Sequence, residues 1–365
     1  MKILFCGGGT FGHVAPALAA AEALKKKTKN AEIVFAGREG GKENDAVKRA
    51  GYPVYEIPMQ SIERRLGLKS IESVFKMLRA FGEARHMLHE LRPHIVFGTG
   101  GYVCLPFVRA AQVMGIPTVL HESNATPGRA CRMLAPKCSK VLLGIRDCAG
   151  AMPRGTRCEF TGNPVRQDFF QYTKEKARRI LGLPSEARLL LSFGGSGGAQ
   201  CLNEAMLGFM TSKDARKKDL YHVHVMGRSY YEDAAGRYPT LTTRHSRSRI
   251  YPFIENMPLY MCGADLCVCR SGAMTLAELA AAGTPAILVP SPNVTDDHQY
   301  KNALSLAQNG GALLLEEKKI DQIGETILDT LEKEDLLSSM RHALLRHGEK
   351  NAADRIADAI LSVLP

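Results

Sequence analysis

Short apolar runs alternate with longer amphipathic stretches along this chain of 365 residues. Apolar runs rich in Val, Ile, Leu and Phe are typical of buried strands, whereas apolar positions three and four residues apart indicate helices. The alternation predicts β-α units around parallel sheets, and therefore an α/β fold. The predicted strands are 2–6, 32–36, 94–98, 117–121, 188–193, 221–226, 264–269 and 286–290, and the predicted helices include 14–27 and 276–282.

A cluster of Gly, Asn and Pro at 162–166 interrupts this pattern. The same arrangement, an apolar strand that runs into a glycine loop, occurs on both sides of the cluster, at 5–9 and at 192–196. The repetition predicts two Rossmann-like domains in series, the first ending at 162 and the second beginning at 163.

Composition indicates a globular protein, and the distribution of charge indicates an anionic partner. Hydrophobic residues make up 45% of the chain and charged residues 23%, which is ordinary for a globular protein and excludes disorder. The net charge of +11 comes from the first half: residues 1–165 contain 24 basic and 13 acidic side chains, whereas residues 166–365 contain 24 of each. We therefore expect the first half to meet an anionic partner, which on charge alone is a phosphate, a nucleic acid or a lipid surface.

The cysteines and the chain start bear on the cellular compartment. The ten cysteines form no Cys-x-x-Cys pair and have no spacing to histidines that suits zinc. The first residues run directly into glycines, without the apolar core of a signal peptide, and no apolar stretch approaches the length of a membrane span. This pattern predicts a reduced, cytosolic protein without structural zinc.

The first glycine loop, 7–12, follows a predicted strand and opens a predicted helix. It satisfies the G-x-G-x-x-G pattern, so its backbone N–H groups and the positive end of the helix favour an anion. A dinucleotide site and a tight turn without a ligand are the alternatives. The next strand runs into Gly37, Arg38 and Glu39 with no acidic residue closing the strand itself, which argues against a nicotinamide cofactor.

Polar side chains follow three strands of the first half. His13, in the first turn after the glycine loop, can bond a phosphate or take a proton from a hydroxyl, or it can simply cap and pack. A second glycine loop occupies 98–102, and His121, Glu122 and Asn124 end the next predicted strand. Because the carboxyl ends of parallel strands meet at one edge of a sheet, we expect these side chains to line one site.

The second half repeats this arrangement. Ser196 lies in the glycine loop 194–199, whose N–H groups suit a phosphate. Arg270 follows a predicted strand and is a natural partner for a diphosphate. Glu278 lies in the next helix, where its carboxylate can accept hydrogen bonds from ribose hydroxyls or remain a solvated helix residue. No Asp-x-Asp triplet occurs, so we expect helix N-termini and Arg270, and no metal, to stabilise the diphosphate charge.

Seven short motifs stand in a characteristic order along the chain. They are Gly8-Gly9-Thr10-Phe11-Gly12-His13, Gly100-Gly101-Tyr102, His121-Glu122-Ser123-Asn124, Gly162-Asn163-Pro164-Val165-Arg166, Gly194-Gly195-Ser196, Cys269-Arg270-Ser271-Gly272-Ala273 and His298-Gln299-Tyr300-Lys301-Asn302. In this order, over essentially the whole chain, they resemble the MurG family of N-acetylglucosaminyltransferases. The resemblance implies a GT-B glycosyltransferase fold, two Rossmann-like domains with parallel sheets around a central cleft. It also implies that a last helix, 351–364, returns to the first domain, so that the second spans 163–350.

The same resemblance implies an inverting transferase that moves GlcNAc from UDP-GlcNAc to the C4 hydroxyl of MurNAc in lipid I, giving lipid II for peptidoglycan synthesis. It implies no required metal or other cofactor, no nucleic acid partner, and a peripheral position on an anionic membrane surface at the cytoplasmic face. The implied donor-site residues are Thr10, Phe11, Gly12, Asn124, Arg166, Ser196, Ile254 (through its backbone, to uracil), Ala273, Met274, Thr275, Leu276, Ala277, Glu278 and Gln299. The implied acceptor-side residues are His13, Gly101 and Tyr102, and the catalytic candidates are His13, Glu122 and Arg270, with the general base either His13 or Glu122.

Three positions depart from the family's pattern. Phe11 replaces the usual second glycine of the first loop, Gly197 stands where glutamine is frequent, and His298 stands where some members have a second glutamine. We expect these changes to alter phosphate and sugar contacts and not the class of reaction.

Other functions are consistent with part of the sequence. A GT-B transferase with another lipid acceptor, such as a diacylglycerol, shares the fold. An NAD(P)-binding oxidoreductase would use the loop 7–12 but would leave the second phosphate loop and 270–278 without a role. A nucleotide-binding subunit without activity would be expected to lack His13 or Glu278, and both are present.

A basic segment in the first half is the predicted membrane contact. Arg64, Arg65 and Lys69 alternate with Leu66 and Leu68, a pattern that suits an anionic leaflet. The apolar stripe from 71 to 81 that follows either extends this surface or packs on the core of the domain.

Overall fold

The computed structural model describes residues 1–9, 11–41, 43–59, 68–216, 219–243 and 246–364. These residues divide into two compact units, one formed by Met1–Val165 together with Asn351–Pro365 and the other by Arg166–Lys350. The division thus falls between 165 and 166, close to the predicted boundary at 162. The predicted basic segment 64–69 lies outside the described residues except for its last two positions.

The described part of the first unit contains one parallel sheet with the strand order β3-β2-β1-β4-β5-β6-β7. Phe5 stands opposite Phe35 and Phe97 on the two neighbouring strands, and the ring centroids lie 5.2 and 5.1 Å from that of Phe5. Such apolar runs form central strands because both faces of a parallel sheet are covered. The strands are β1 (Lys2–Cys6), β2 (Glu32–Arg38), β3 (Val54–Ile57), β4 (Ile95–Gly98), β5 (Thr118–Glu122), β6 (Lys140–Leu143) and β7 (Cys158–Phe160).

Helices cover both faces of this sheet. One face packs residues of α1 against Ile3 and Phe5, and the other packs residues of α3 and α4 against Leu4 and Cys6. The alternation of side chains along β1 therefore supplies two separate apolar cores. The helices are α1 (Phe11–Lys27), α2 (Asn44–Arg49), α3 (Leu68–Leu91), α4 (Gly101–Val113) and α5 (Arg129–Leu134).

The second unit is built on the same plan. In its described residues the parallel strands lie in the order β10-β9-β8-β11-β12-β13. The strands are β8 (Arg188–Phe193), β9 (Leu220–Val225), β10 (Ser248–Tyr251), β11 (Leu266–Cys269), β12 (Ala286–Leu288) and β13 (Ala312–Leu314). The helices are α6 (Lys174–Ile180), α7 (Gln200–Thr211), α8 (Lys213–Arg216), α9 (Arg228–Arg237), α10 (Met257–Gly263), α11 (Ala273–Ala282), α12 (His298–Gln308), α13 (Ile323–Glu332) and α14 (Glu334–His347).

The last helix, α15 (Ala352–Leu361), belongs to the first unit and packs against α1. Ile356 and Ile360 are fully buried in the same core as Phe5. Arg355 donates from Nε and Nη2 to the backbone oxygen of Thr161 at 3.0 and 2.8 Å. Apolar burial and this charged hydrogen-bond donor both attach the end of the chain to the sheet that begins it.

The α/β fold predicted from the sequence is confirmed. All eight predicted strands are present with ends within two residues of the prediction, and the structure adds β3, β6, β7, β10 and β13. Short 3-10 turns occur at Ala135–Lys137, Arg146–Ala151, Gln167–Phe170, Pro239–Thr242, Thr295–Asp297 and Glu317–Gln322. Within the described ranges, no helix combines the length and apolarity needed to cross a membrane.

Candidate functional site

In each unit the chain changes its direction of winding in the middle of the sheet, between β1 and β4 and between β8 and β11. The loops that follow such a pair of strands run to opposite faces and leave a crevice at the carboxyl edge, where open α/β sheets bind ligands. Of the three predicted glycine loops, two follow β1 and β4 in the first unit, and the third follows β8 in the second unit. Each unit therefore has a glycine loop at the switch point of its own sheet.

His13 lies in the first turn of α1 and is bonded to the loop that follows β4. Its Nδ1 is 2.9 Å from the backbone oxygen of Thr99, and Thr99 Oγ1 donates to the backbone oxygen of His13 at 2.7 Å. Because a carbonyl oxygen can only accept, Nδ1 carries the proton, and the lone pair of the neutral ring lies on Nε2. A histidine held in this tautomer can take a proton at Nε2.

The two glycine loops of the first unit lie in close contact around His13. Gly101 has φ +74°, and a Cβ at this position would lie 2.2 Å from the backbone oxygen of Gly8. The ring of Tyr102 packs on Gly9, where a Cβ would lie 2.9 Å from Tyr102 Cε1. The structure therefore brings together His13, Gly101 and Tyr102 at one edge of the sheet.

The donor-site residues implied for the first glycine loop are only partly described. Gly12 is exposed in the first turn of α1, and Phe11 begins that helix. Thr10 lies outside the described residues.

Glu122, at the end of β5, uses its carboxylate to shape the loop that follows. Oε1 accepts hydrogen bonds from the backbone N–H of Asn124 at 3.0 Å and from its Nδ2 at 2.9 Å. Oε2 accepts from the backbone N–H of Gly128 at 2.9 Å, just before α5. Both oxygens of this buried carboxylate thus accept hydrogen bonds. This arrangement suits a residue that positions Asn124 better than one that accepts a proton from a substrate.

His121, which the sequence placed beside Glu122, is part of the buried core. Its Nε2 is 3.2 Å from the backbone oxygen of Gly162, and Ser123 Oγ is 3.3 Å from its Nδ1. Burial lowers the pKa of His121 to about 4, so the ring is neutral at pH 7. It links the end of β5 to the segment after β7.

The glycine loop of the second unit turns tightly after β8. Gly198 has φ +75°, and a Cβ at this position would lie 2.0 Å from the backbone oxygen of Met226. The backbone N–H of Gly198 donates to the backbone oxygen of Gly195 at 3.0 Å. Ser196 and Gly197 are exposed at the tip of this turn, where a hydroxyl and backbone N–H groups are accessible to a phosphate.

The structure gives Arg270 a different partner from the one expected. Its guanidinium forms an ion pair with Glu317, and Nη1 donates to the backbone oxygen of Val289 at 3.0 Å. The side chains of Arg270 and Glu317 are only 11% and 22% exposed. A cation already neutralised by a carboxylate offers little net charge to a diphosphate. Arg270 therefore ties the loop after β11 to the end of β12 and to Glu317.

The residues 273–278 form the first part of α11 and divide between its two faces. Ala273 and Leu276 are buried, whereas Met274, Thr275 and Ala277 are half-buried. Only the backbone of the buried pair is left to meet a ligand. Glu278 is half-buried, like Met274, Thr275 and Ala277. Burial raises the pKa of Glu278 to about 7, and the positive charge of Arg166 acts to lower this pKa.

Arg166 is bonded to Glu255, the residue that follows Ile254 in the sequence. Arg166 Nη1 donates to the backbone oxygen of Glu255 at 3.3 Å. Ile254, the preceding residue, is buried in the loop after β10. Arg166 also acts electrostatically on Glu278, so these two implied donor-site residues lie within range of each other in the second unit.

Gln299 lies in the first turn of α12 and is held by the neighbouring loops. Its Oε1 accepts from the backbone N–H of Ser291 at 2.9 Å, and its backbone oxygen accepts from Ser271 Oγ at 2.8 Å. Asn302 Nδ2 donates to the backbone oxygen of Ser271 at 3.2 Å. The Nε2 amide group of Gln299 is its side-chain donor, and Oε1 already accepts one hydrogen bond. Nδ1 of His298, the residue before it, is 2.8 Å from the backbone oxygen of Thr295.

Sequence reasoning did not single out Glu43 and Glu317, although each contacts a predicted site element. Glu43 accepts a hydrogen bond from Gly9, and Glu317 pairs with Arg270. Both are acidic residues in loops or at helix starts, where nothing in their sequence surroundings distinguishes them. Among the residues that the structure describes, no group of three or more His, Cys, Asp or Glu side chains is arranged to hold a metal ion.

Comparisons with known proteins agree with this architecture. Residues 3–143 match the glycosyltransferase family 28 N-terminal domain, and residues 189–356 match the glycosyltransferase family 28 C-terminal domain. Both units are therefore of a glycosyltransferase type.

Relatives that match over their full length show which family of glycosyltransferases the chain belongs to. The chain is 36% identical over 366 residues to the UDP-N-acetylglucosamine–N-acetylmuramyl-(pentapeptide) pyrophosphoryl-undecaprenol N-acetylglucosamine transferase of Thermoanaerobacter sp., with 100% of each chain covered. It is 37% identical to the enzyme of the same name from Desulforudis audaxviator, covering 99% of this chain and 98% of the relative. The crystal structure of Acinetobacter baumannii MurG aligns with a TM-score of 0.77 and 28% identity over 99% of each chain. The chain belongs to the MurG family.

Proposed function

We propose that this protein transfers GlcNAc from UDP-GlcNAc to the C4 hydroxyl of MurNAc in the undecaprenyl-pyrophosphoryl acceptor lipid I, forming lipid II for peptidoglycan synthesis. The observation that carries the proposal is the 36% identity over the full length of a relative named for this reaction. It covers both units, so neither the donor half nor the acceptor half of the reaction rests on a partial match.

The second unit is the proposed donor site. The loop after β8, with Ser196 at its tip, and the N-terminus of α11 offer N–H groups to the diphosphate. Glu278 is proposed to accept from the ribose hydroxyls, the backbone of Ile254 to bind uracil, and the amide group of Gln299 to bind the sugar. Arg166, bonded beside Ile254, supports this surface.

The first unit is the proposed acceptor side, formed by His13, Gly101 and Tyr102. Asn124, on the loop after β5, keeps its proposed role toward the donor UDP-GlcNAc. His13 Nε2 takes the proton of the attacking C4 hydroxyl, because Nδ1 is committed to Thr99. The new bond joins the C4 oxygen to C1 of GlcNAc as the bond from C1 to UDP breaks, with inversion at C1. Glu122 supports the site by holding Asn124.

The charge on the departing UDP is proposed to be stabilised by backbone N–H groups and the dipole of α11, so that no metal ion is required. Arg270 contributes by holding the loop before α11 in place and not by contacting phosphate directly. Because the acceptor carries a lipid, the protein is proposed to work as a peripheral protein at the cytoplasmic face of the cell membrane.

Ligand-induced thermal stabilisation, measured in buffer that contains EDTA, tests this proposal against an NAD(P)-binding oxidoreductase. A ligand that binds only the folded state raises the midpoint of unfolding, and the stabilisation grows with the logarithm of the ligand concentration relative to Kd. We expect UDP and UDP-GlcNAc to raise the midpoint and NADH to leave it unchanged. Stabilisation by NADH alone would contradict the proposal, and stabilisation that required added Mg²⁺ would contradict its metal-free donor site.

A further inference from the structure

A charge pair that the proposed reaction does not use lies beside the first glycine loop. Arg38 ends β2 and Glu43 immediately precedes α2, so both lie at the carboxyl edge of the sheet. Glu43 Oε1 accepts a hydrogen bond from the backbone N–H of Gly9 at 2.8 Å and lies 3.7 Å from Arg38 Nε. The Glu43 side chain is 8% exposed, so a carboxylate is buried directly on this loop.

The Glu43 carboxylate occupies a position that suits an anionic ligand. Gly9 lies just before α1, where backbone N–H groups and the helix dipole favour negative charge. A Cβ on Gly8 would lie 3.2 Å from the same Oε1, so the carboxylate is in contact with two successive residues of the loop. A side chain of the protein thus satisfies a donor that the G-x-G-x-x-G pattern offers to a phosphate.

Arg38 is held beside this carboxylate without a hydrogen bond to it. Its Nε is buried and has no hydrogen-bond partner among the residues described, and 3.7 Å is too long for one with Glu43. Burying such a donor costs free energy unless another acceptor reaches it. The phenol of Tyr102, which we place on the acceptor side, lies within electrostatic range of both charges.

We propose that Glu43 and Arg38 set the affinity of the first glycine loop for an anion, because the anion must replace the Glu43 carboxylate on the loop and then pairs with Arg38. In the free protein, Glu43 holds the Gly9 N–H. The pyrophosphate of the lipid-linked acceptor displaces the carboxylate and takes both the Gly9 N–H and the Arg38 guanidinium. Glu43 is a positioning residue and Arg38 a binding residue. The inference rests on the proposed function, because that function supplies an acceptor with a pyrophosphate.

If the anion replaces Glu43 in this way, substitutions of Glu43 and of Arg38 should change the affinity for pyrophosphate in opposite directions. Glu43→Gln removes the competing negative charge while keeping an oxygen that can accept from Gly9, so pyrophosphate should bind about fivefold more tightly. Arg38→Gln removes the cation, so pyrophosphate should bind about fivefold more weakly. An ion pair that only supports the loop would give weaker or unchanged binding in both variants.

The test is calorimetric titration of the full-length protein with inorganic pyrophosphate in the presence of saturating UDP, which fills the phosphate site of the second unit. Lys48 and Glu56 provide a matched control, since Nζ and Oε1 lie 2.6 Å apart and Glu56 Oε2 accepts from the backbone N–H of Gly40 at 3.1 Å. Lys48→Gln and Glu56→Gln should leave the affinity for pyrophosphate unchanged.

Kinetics with a short-chain lipid-linked acceptor provide the second readout. The KM for the acceptor should fall in Glu43→Gln and rise in Arg38→Gln, while the KM for UDP-GlcNAc stays constant. Glu43→Ala should also bind pyrophosphate more tightly, and it serves in place of Glu43→Gln if circular dichroism shows that variant to be unfolded. Weaker or unchanged binding in the folded Glu43 variants would overturn the exchange. Opposite shifts in pyrophosphate affinity without any transfer by the wild-type protein would instead contradict the proposed function.

Discussion

The guanidinium of Arg270 is paired with the carboxylate of Glu317, a residue on the turn after β13. The two side chains are mostly buried, and Arg270 also donates to the backbone oxygen of Val289. Without a ligand, the cation that the sequence assigns to a diphosphate is therefore paired within the protein, and its role toward phosphate stays a prediction.

The first prediction concerns this pair. Arg270→Ala leaves a mostly buried carboxylate without its partner, so we expect a loss of about 2–4 kcal/mol in the free energy of unfolding. Arg270→Ala combined with Glu317→Gln should recover part of that loss, as a denaturant-based double-mutant cycle would show. UDP affinity should fall only modestly in the double variant, because the loop before α11 loses its bond to Val289 but no phosphate ligand. A large loss of UDP affinity with full stability in Arg270→Ala would restore Arg270 as a phosphate ligand.

The second prediction concerns the pH dependence of Glu278. Burial raises its pKa from 4.5 to about 7, so the folded protein binds this proton more tightly than the unfolded chain. The stability that the group contributes is therefore lost as pH rises from about 4.5 through 7. Glu278→Gln should be more stable than wild type above pH 7, by on the order of 1–3 kcal/mol, with the difference vanishing toward pH 4.5.

UDP binding by the same variant separates its two roles. If the carboxylate accepts from ribose, Glu278→Gln weakens UDP and UDP-GlcNAc alike, because the sugar does not take part in that contact. Wild-type affinity for UDP-GlcNAc, which has no terminal phosphate that titrates in this range, should fall between pH 8 and pH 6, and the affinity of the variant should not. Calorimetry that showed a defect for UDP-GlcNAc only would contradict the ribose assignment.

The third prediction distinguishes His13 from Glu122. His13→Asn keeps a donor for the Thr99 oxygen but removes the base, so kcat should fall about 10²- to 10³-fold while UDP affinity is unchanged. Glu122→Gln cannot accept the same set of N–H donors, so it should lower the free energy of unfolding by about 1–3 kcal/mol and reduce kcat less. Steady-state kinetics together with thermal unfolding measure both effects. The reverse order of kcat losses would make Glu122 the base.

The fourth prediction concerns membrane binding and rests on the sequence of the segment at 64–69. Near an anionic leaflet each basic residue contributes about 1 kcal/mol, so the double variant Arg64→Glu with Arg65→Glu should bind anionic vesicles much more weakly. Arg154→Glu with Arg157→Glu changes the same charge at another exposed site of the first unit and is the control. Wild-type binding should weaken with salt. Equal binding by both double variants in sedimentation assays would place the membrane surface elsewhere.

The central strands and the three glycine loops could be predicted from the sequence because these features are local. β1, β4, β8 and β11 are short, mostly apolar runs, and the glycines that follow such strands are required by close contacts such as that of Gly101 with Gly8. The edge strand β7 was missed because its three residues include Glu159 and are only partly buried or exposed.

The roles of individual polar side chains were less predictable. Whether Glu122 accepts a substrate proton or holds Asn124 depends on how the loop before α5 folds back. The partner of Arg270 is fixed by the position of Glu317, which follows two later strands. Such contacts depend on tertiary placement, and the spacing of motifs along the chain carries no information about them.

The most direct test of the account is transfer itself. The purified protein is incubated with UDP-GlcNAc labelled in the sugar and a short-chain lipid-linked MurNAc acceptor, and the products are separated and examined by NMR. We expect release of one UDP for each labelled disaccharide, joined through C4 of MurNAc with the anomeric configuration inverted. Release of UDP without a labelled disaccharide, or a product with retained configuration, would contradict it.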